Sequence, residues 1–144
     1  MTDTYLEQIW IDKVDELDMI ALTKAVEASY YGHKVEHILA SVETFESQLW
    51  RGESPGGRFV VVTQLFQHPG GKQLLIWSIG GEGYLEAMDT VFEVLKDYAR
   101  KVEAKWLSAN VRKGFTKFAD RFGVEAEYTN WITEIKDVPD QTKH

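Results

Sequence analysis

Cysteine is missing altogether. Its absence excludes disulfide scaffolds, thiolate zinc sites and cysteine nucleophiles, and it leaves the redox compartment open, since a cysteine-free chain tolerates either. Long apolar runs are missing too. No stretch approaches the roughly 18 residues needed to span a bilayer, and Met1–Thr4 carries neither the basic nor the apolar region of a signal peptide, so a soluble, unsecreted protein with no membrane role is expected. Positive charge is scarce: 16 Lys and Arg against 23 Asp and Glu leave a formal charge of −7. An acidic chain is repelled by phosphate backbones unless its cations cluster, which makes a nucleic-acid partner unlikely on charge alone. The basic cluster that does occur, Arg112, Lys113, Lys117 and Arg121, surrounds a short helical pattern and reads as a wetted face.

What is present is ordinary globular material. With 144 residues, 44% of them hydrophobic and 27% charged, the chain is long enough for one domain with a real core and too short for two. A single domain is expected over residues 1–136, followed by a polar tail, 137–144, that carries Pro139 and frays.

The most informative stretch is Lys72–Lys101. Leu74-Leu75-Ile76-Trp77 reads as a buried strand, and Ser78-Ile79-Gly80-Gly81-Glu82-Gly83 breaks it. From Tyr84 the apolar positions Leu85, Met88, Val91, Phe92, Leu95, Tyr98, Ala99 and Val102 follow the spacing of a one-sided helix. A strand feeding a helix through glycines turns the helix's first N–H groups toward the strand's end, where anions are favoured. Glycines in that position are more often plain turn chemistry than a phosphate cradle.

In chain order, Tyr5–Ile11 reads as a first strand, although Leu6–Leu17 also admits a helix. A helix follows from Asp12 to about Tyr30, and a second carries Val35, Ile38, Leu39, Val42 and Phe45. At its start His33, Glu36 and His37 have the H-x-x-E-H form of some zinc peptidases, but paired histidines on one helix turn are far more often a solvated face, and no metal is expected. Gln48–Trp50 leads into Arg51–Gly57, a run of turn residues that reads as a loop. Arg58–Phe66 is a β-branched strand, Pro69-Gly70 a tight turn with His68 at its tip, and Lys72–Trp77 the returning strand. Beyond the long helix, Lys105–Val111 reads as a strand parallel to Leu74–Trp77, because a strand–helix–strand unit crosses over right-handedly. Phe115–Phe122 forms a short helix stopped by Gly123, and the alternation from Val124 to Lys136 predicts one last strand.

That order, with the glycine turn before the central helix, resembles the GCN-related N-acetyltransferase superfamily over about Tyr5–Ile135. The resemblance implies an α/β (α+β) fold: a mixed, mostly antiparallel sheet with one parallel strand pair bridged by a long helix, and helices on both faces. In that superfamily a Q/R-x-x-G-x-G/A turn holds the pyrophosphate of acetyl-coenzyme A. Ser78–Gly83 matches it through Gly81 and Gly83, with Ser78 in place of the Gln or Arg, so the resemblance implies Ser78, Ile79, Gly80, Gly81, Gly83 and Tyr84 as cofactor-binding residues, joined by Asn110 after the next strand. The basic cluster at 112–121 would then lie near the adenosine phosphate.

Three departures accompany the match. The tyrosine that commonly protonates the departing thiolate falls at Ala119, which has no proton to give. The segment between strand and turn is shortened, and Glu82 sets a carboxylate where phosphate would lie. The combination looks most like the small acetyltransferase-like proteins encoded by tailed bacteriophages.

Two functional classes follow. One is a non-catalytic phage-type protein with a degenerate acetyl-coenzyme A site, acting in a virion, in assembly or on a host partner. It would reside in the host cytoplasm or virion and pair with a protein partner or with itself. Trp50, Tyr128 and Trp131, with Tyr30 and Tyr31, would supply an aromatic contact patch, although core filling is their commoner use. The alternative is an acetyl-coenzyme A-dependent N-acetyltransferase acting on an amine of a small molecule or protein, with Glu82, His68, Glu53 or Glu127 as base.

Overall fold

The computed structural model describes residues 3–27, 34–110, 125–127 and 130–135. Strand β1 (Tyr5–Ile9) leads through a 3-10 turn (Ile11–Lys13) to helices α1 (Glu16–Glu27) and α2 (Val35–Glu43). Strands β2 (Ser47–Ser54), β3 (Gly57–His68) and β4 (Gly71–Gly81) come next, then helix α3 (Met88–Lys101) and strands β5 (Ala104–Asn110), β6 (Glu125–Glu127) and β7 (Asn130–Glu134). The hydrogen-bonded strand order is β1-β2-β3-β4-β5-β7-β6. Only the β4–β5 pair among those with a defined register is parallel, from Lys72↔Ala104 to Ile76↔Ala109. The expected mixed sheet with one parallel pair bridged by the long helix is therefore the observed one.

The chain groups into two compact units, Met1–Gln64 with Trp77–Val91, and Leu65–Ile76 with Phe92–His144. In the first, α1 and α2 bury Ala21, Leu22, Ala25, Ile38 and Val42 against Ile9, Leu49, Val60 and Val62. Phe59 through Thr63 are all fully buried, so β3 is covered on both sides, which is why it reads as a continuous β-branched run rather than an alternation. A polar chain crosses this interior: Trp50 Nε1 donates to Thr63 Oγ1 at 3.0 Å, and Thr63 Oγ1 to Gln48 Oε1 at 2.8 Å. Helix α1 begins with a reciprocal cap. The Asp15 amide donates to Asp18 Oδ2 at 3.0 Å and the Asp18 amide to Asp15 Oδ1 at 2.8 Å, satisfying two amides that a helix start otherwise leaves bare.

In the second unit β5 pairs antiparallel with β7, and β7 with β6. Lys72 Nζ donates to Val102 O at 3.2 Å at the foot of the parallel pair.

Several expectations are corrected here. The first strand stops at Ile9, and the first helix starts at Glu16 behind its Asp15 cap. Arg51–Gly57 is no loop: Arg51, Gly52 and Glu53 continue β2, pairing with Val60, Phe59 and Arg58, and only Pro55-Gly56 turns. Phe45 lies beyond α2. The strand before the long helix extends to Gly81, so Ser78, Ile79 and Gly80 are strand residues, and α3 begins at Met88 after a turn over residues 84–87. The final alternation is divided, with Glu127↔Asn130 pairing β6 to β7. The end of the first helix near Tyr30, the short helix at 115–122, Ala119, the basic cluster at 112–121 and the tail lie outside the described residues.

Candidate functional site

The end of β4 and the turn after it are packed from two sides. A side chain at Gly80 would place its Cβ 2.3 Å from the Ala25 amide nitrogen on α1. Gly81 has φ +116° with Arg58 O only 2.6 Å from a Cβ, and Gly83 has φ +81° with Ser54 Oγ at 2.3 Å and Gly57 N at 2.8 Å. Both conformations suit glycine alone, and both sites lack room for more. These residues let the β2–β3 turn and α1 close onto the end of β4.

Several polar groups around the turn are already engaged. The Glu82 amide donates to Arg58 O at 2.9 Å. Ser78 Oγ donates to Ala25 O at 2.9 Å. Ser54 Oγ lies 2.9 Å from Gly83 O and 2.8 Å from Glu86 Oε1, two acceptors for its single proton, and it accepts the Gly56 amide at 3.1 Å. Lys24 Nζ reaches Glu82 Oε1 at 2.5 Å. That hydrogen bond and the Lys24 charge hold the Glu82 carboxyl below its ordinary range, so it is a weak base at neutral pH. The approach to α3 thus carries Glu82 and Glu86, with Asp89 in the helix's first turn. Carboxylates there occupy the positive end of the helix dipole that an incoming anion would need. These carboxylates disfavour a second anion at the turn.

Beside the turn opens a cavity of about 180 Å³, lined by Leu17, Ile20, Ala21 and Lys24 of α1, by Gly56–Arg58, and by Gly81 and Glu82. Its walls are apolar, and its polar rim residues, Lys24, Arg58 and Glu82, are each ion-paired.

An ion network borders this region. Asp18 is completely buried; its carboxylate takes Arg51 Nε at 2.9 Å and Arg58 Nη1 at 3.0 Å, and Arg51 Nη2 bonds it as well. Arg58 also donates to Asp15 at 3.0 Å and to Glu53 at 2.8 Å. The bond from the Asp18 amide, then that from Arg58, lowers the Asp15 carboxyl to about 2. Bonding to Asp18 raises the Arg51 guanidinium further. For Arg58 burial opposes the charge, and its hydrogen bonds to Asp15, Glu53 and Asp18 outweigh it, so its value also rises. Asp15, Asp18, Lys24, Ser54, Arg51 and Arg58 carry no motif in the sequence that marks them as site residues. The Asp15-x-x-Asp18 spacing ahead of an apolar run is the one sequence signal near them, because it marks a helix start.

Of the residues put forward from sequence, Ser78–Gly83 lie together in the first unit, with Tyr84 half-buried in the turn. His68 sits in the second unit, where Nε2 lies 2.6 Å from Gln73 Oε1, Gln73 Nε2 donates to Ser108 Oγ at 2.6 Å, and the imidazole stands edge-on to Trp106. Glu53 is committed to Arg58. Asn110 ends β5 opposite Asn130. Trp50 is a core residue rather than a surface contact. His37 of the H-x-x-E-H pattern accepts the Lys34 amide through Nδ1 at 3.2 Å, a helix cap, and among the described residues no cluster of metal-ligating side chains occurs.

Comparison with known proteins rests on shape. No family model and no curated protein matches the sequence. The solved structures similar to this chain include the ribosomal-protein-S18-alanine N-acetyltransferase from Escherichia coli, at 11% identity and TM-score 0.63, covering 98% of this chain and 99% of that one. A mutant of the AtaT toxin bound to the C-terminus of the antitoxin AtaR and acetyl-CoA is similar at 11% identity and TM-score 0.57, covering 95% and 96%. Tetrahymena GCN5 is similar at 9% identity and TM-score 0.59, covering 96% and 99%. This chain therefore has the mixed α/β fold of the GCN-related N-acetyltransferases. Among the described residues no helix is long and apolar enough to cross a membrane.

Proposed function

We propose that this chain is a non-catalytic protein on an acetyltransferase fold, of the kind tailed bacteriophages encode, acting through its surface on a viral or host protein or on a second copy of itself, in the host cytoplasm or the virion. The observation that carries this reading is the filled glycine turn. Gly81 and Gly83 accommodate Arg58, Ser54 and Gly57 at distances that leave no side-chain space, and Glu82 and Glu86 set two carboxylates beside them, which supports a turn built for packing. Function resides in sites rather than in folds, so the shared fold does not by itself carry the acetyl transfer of its neighbours to this chain.

A second reading, acetyl-CoA-dependent N-acetyl transfer to an amine, draws support from neighbours of the same fold whose structures hold acetyl-CoA. Titration with acetyl-CoA separates the two. At a hundredfold excess over a micromolar Kd, binding raises stability by about 2.7 kcal/mol. The scaffold reading expects no shift in melting and no heat of binding. A saturable melting shift or binding heat refutes it, and acetylation of an added amine in the same mixture establishes the enzyme.

A further inference from the structure

Helix α2 ends in a cap that is strained by its own residue. The Thr44 amide donates to Ala40 O, the Phe45 amide to Val42 O at 3.1 Å and the Glu46 amide to Ser41 O at 2.9 Å. That pattern places Phe45 in the left-handed region, at φ 65°, in the position where helices favour glycine because a Cβ crowds the carbonyl that follows it. The ring earns no place in the core: Phe45 is 73% exposed. It meets Trp10 edge-on at 6.1 Å, and Trp10 is itself 56% exposed, with Ile11 beside it at 38%. A bulky aromatic held in a disfavoured backbone state and presented to water is an outlier that points to use.

Charge decides the occupant. The exposed neighbours along the chain are Asp12, Glu43 and Glu46, with Lys13 as the single cation, on a chain of net charge −7. A second copy would set acidic rim against acidic rim, and an anionic lipid surface is repelled in the same way. We infer that Trp10, Ile11 and Phe45 form a docking surface for a cationic amphipathic segment of a partner protein. Its apolar side chains lie on the two rings, and its Lys or Arg residues reach Asp12, Glu43 and Glu46 or stand over the exposed ring faces. This surface goes beyond the functional reading above and stands whether or not acetyl-CoA binds.

The test is calorimetric titration of the full chain with a synthetic Lys/Leu peptide patterned as an amphipathic helix of about four turns, and with its Glu/Leu counterpart. The Lys/Leu peptide binds saturably and the Glu/Leu peptide does not. Phe45→Gly and Trp10→Ser each weaken binding about tenfold or more, whereas Leu85→Ser, which removes an exposed apolar side chain next to Gly83 at the Ser54 end of β2, leaves it unchanged. Phe45→Gly also melts no lower than the parent, because glycine suits the cap. The inference is overturned if the Lys/Leu peptide does not saturate, if either variant binds like the parent, or if Leu85→Ser loses as much. A drop of more than about 5 °C in the melting of Phe45→Gly also overturns it, since that loss would make the ring structural.

Discussion

Replacing Asp18 by alanine leaves Arg51 in particular with only more distant counter-charges. Asp18 is fully buried, while the Arg51 and Arg58 side chains are only 16% and 18% exposed. Arg58 keeps Asp15 and Glu53; Arg51 keeps only Glu7 and Asp15, each at 3.7 Å. The variant also loses one arm of the α1 cap, because the Asp15 amide no longer has Asp18 Oδ2. Breaking a buried ion pair from one side costs about 3–5 kcal/mol, and a lost cap adds about 1 kcal/mol. Against a total of roughly 5–15 kcal/mol, this predicts a melting temperature lower by about 10–20 °C for a chain of this size. Thermal melts by circular dichroism, with urea titrations at constant m, provide the measurement. The control is Asp18→Leu combined with Arg51→Met, which removes both charges and restores much of the loss. A cost below about 1 kcal/mol for Asp18→Ala would mean that water screens the network as it screens surface pairs, and the argument from burial would fail.

Gly80→Ala sets a methyl 2.3 Å from the Ala25 nitrogen; forcing α1 off the end of β4 costs about 1–3 kcal/mol or more. A urea titration showing Gly80→Ala as stable as the parent would refute the packing account of that glycine. The Asp15 carboxyl sits at about 2 against an ordinary 3.8. Its folded value is depressed, so its contribution is fully present above 3.8 and is lost as pH falls toward about 2. Melting of Asp15→Asn should accordingly vary less with pH than the parent across that window, and equal slopes would contradict it.

Some of this molecule was legible in the residues alone. The stripe from Met88 to Ala99 has no competing period, and right-handed crossover then fixes β5 as the parallel neighbour of β4. The β2 strand was not legible because Arg51 and Glu53 look like loop residues until their partners are known. Arg51 spends its charge on Asp18, which is distant in sequence, and Glu53 spends its own on Arg58 across the strand pair. The glycines at 80, 81 and 83 look in sequence like a local break, whereas their cause is tertiary: a helix and a neighbouring turn press against them. Alternation also concealed the break between β6 and β7, since both continue the same period. Phe45 was assigned to a helix face on spacing that is correct, and only the backbone angle reveals that it lies past the end.

The parallel register between Lys72–Ile76 and Ala104–Ala109 has a consequence for how the chain matures. Antiparallel neighbours such as β2 and β3 meet through a short turn, but β5 cannot dock until everything from Gly81 to Ala104 has been laid down and α3 has folded. Until then that side of β4 is an open template for any passing strand. Refolding yield should therefore fall steeply with protein concentration, and dilution rather than temperature is the lever that protects this chain on its way to the native state.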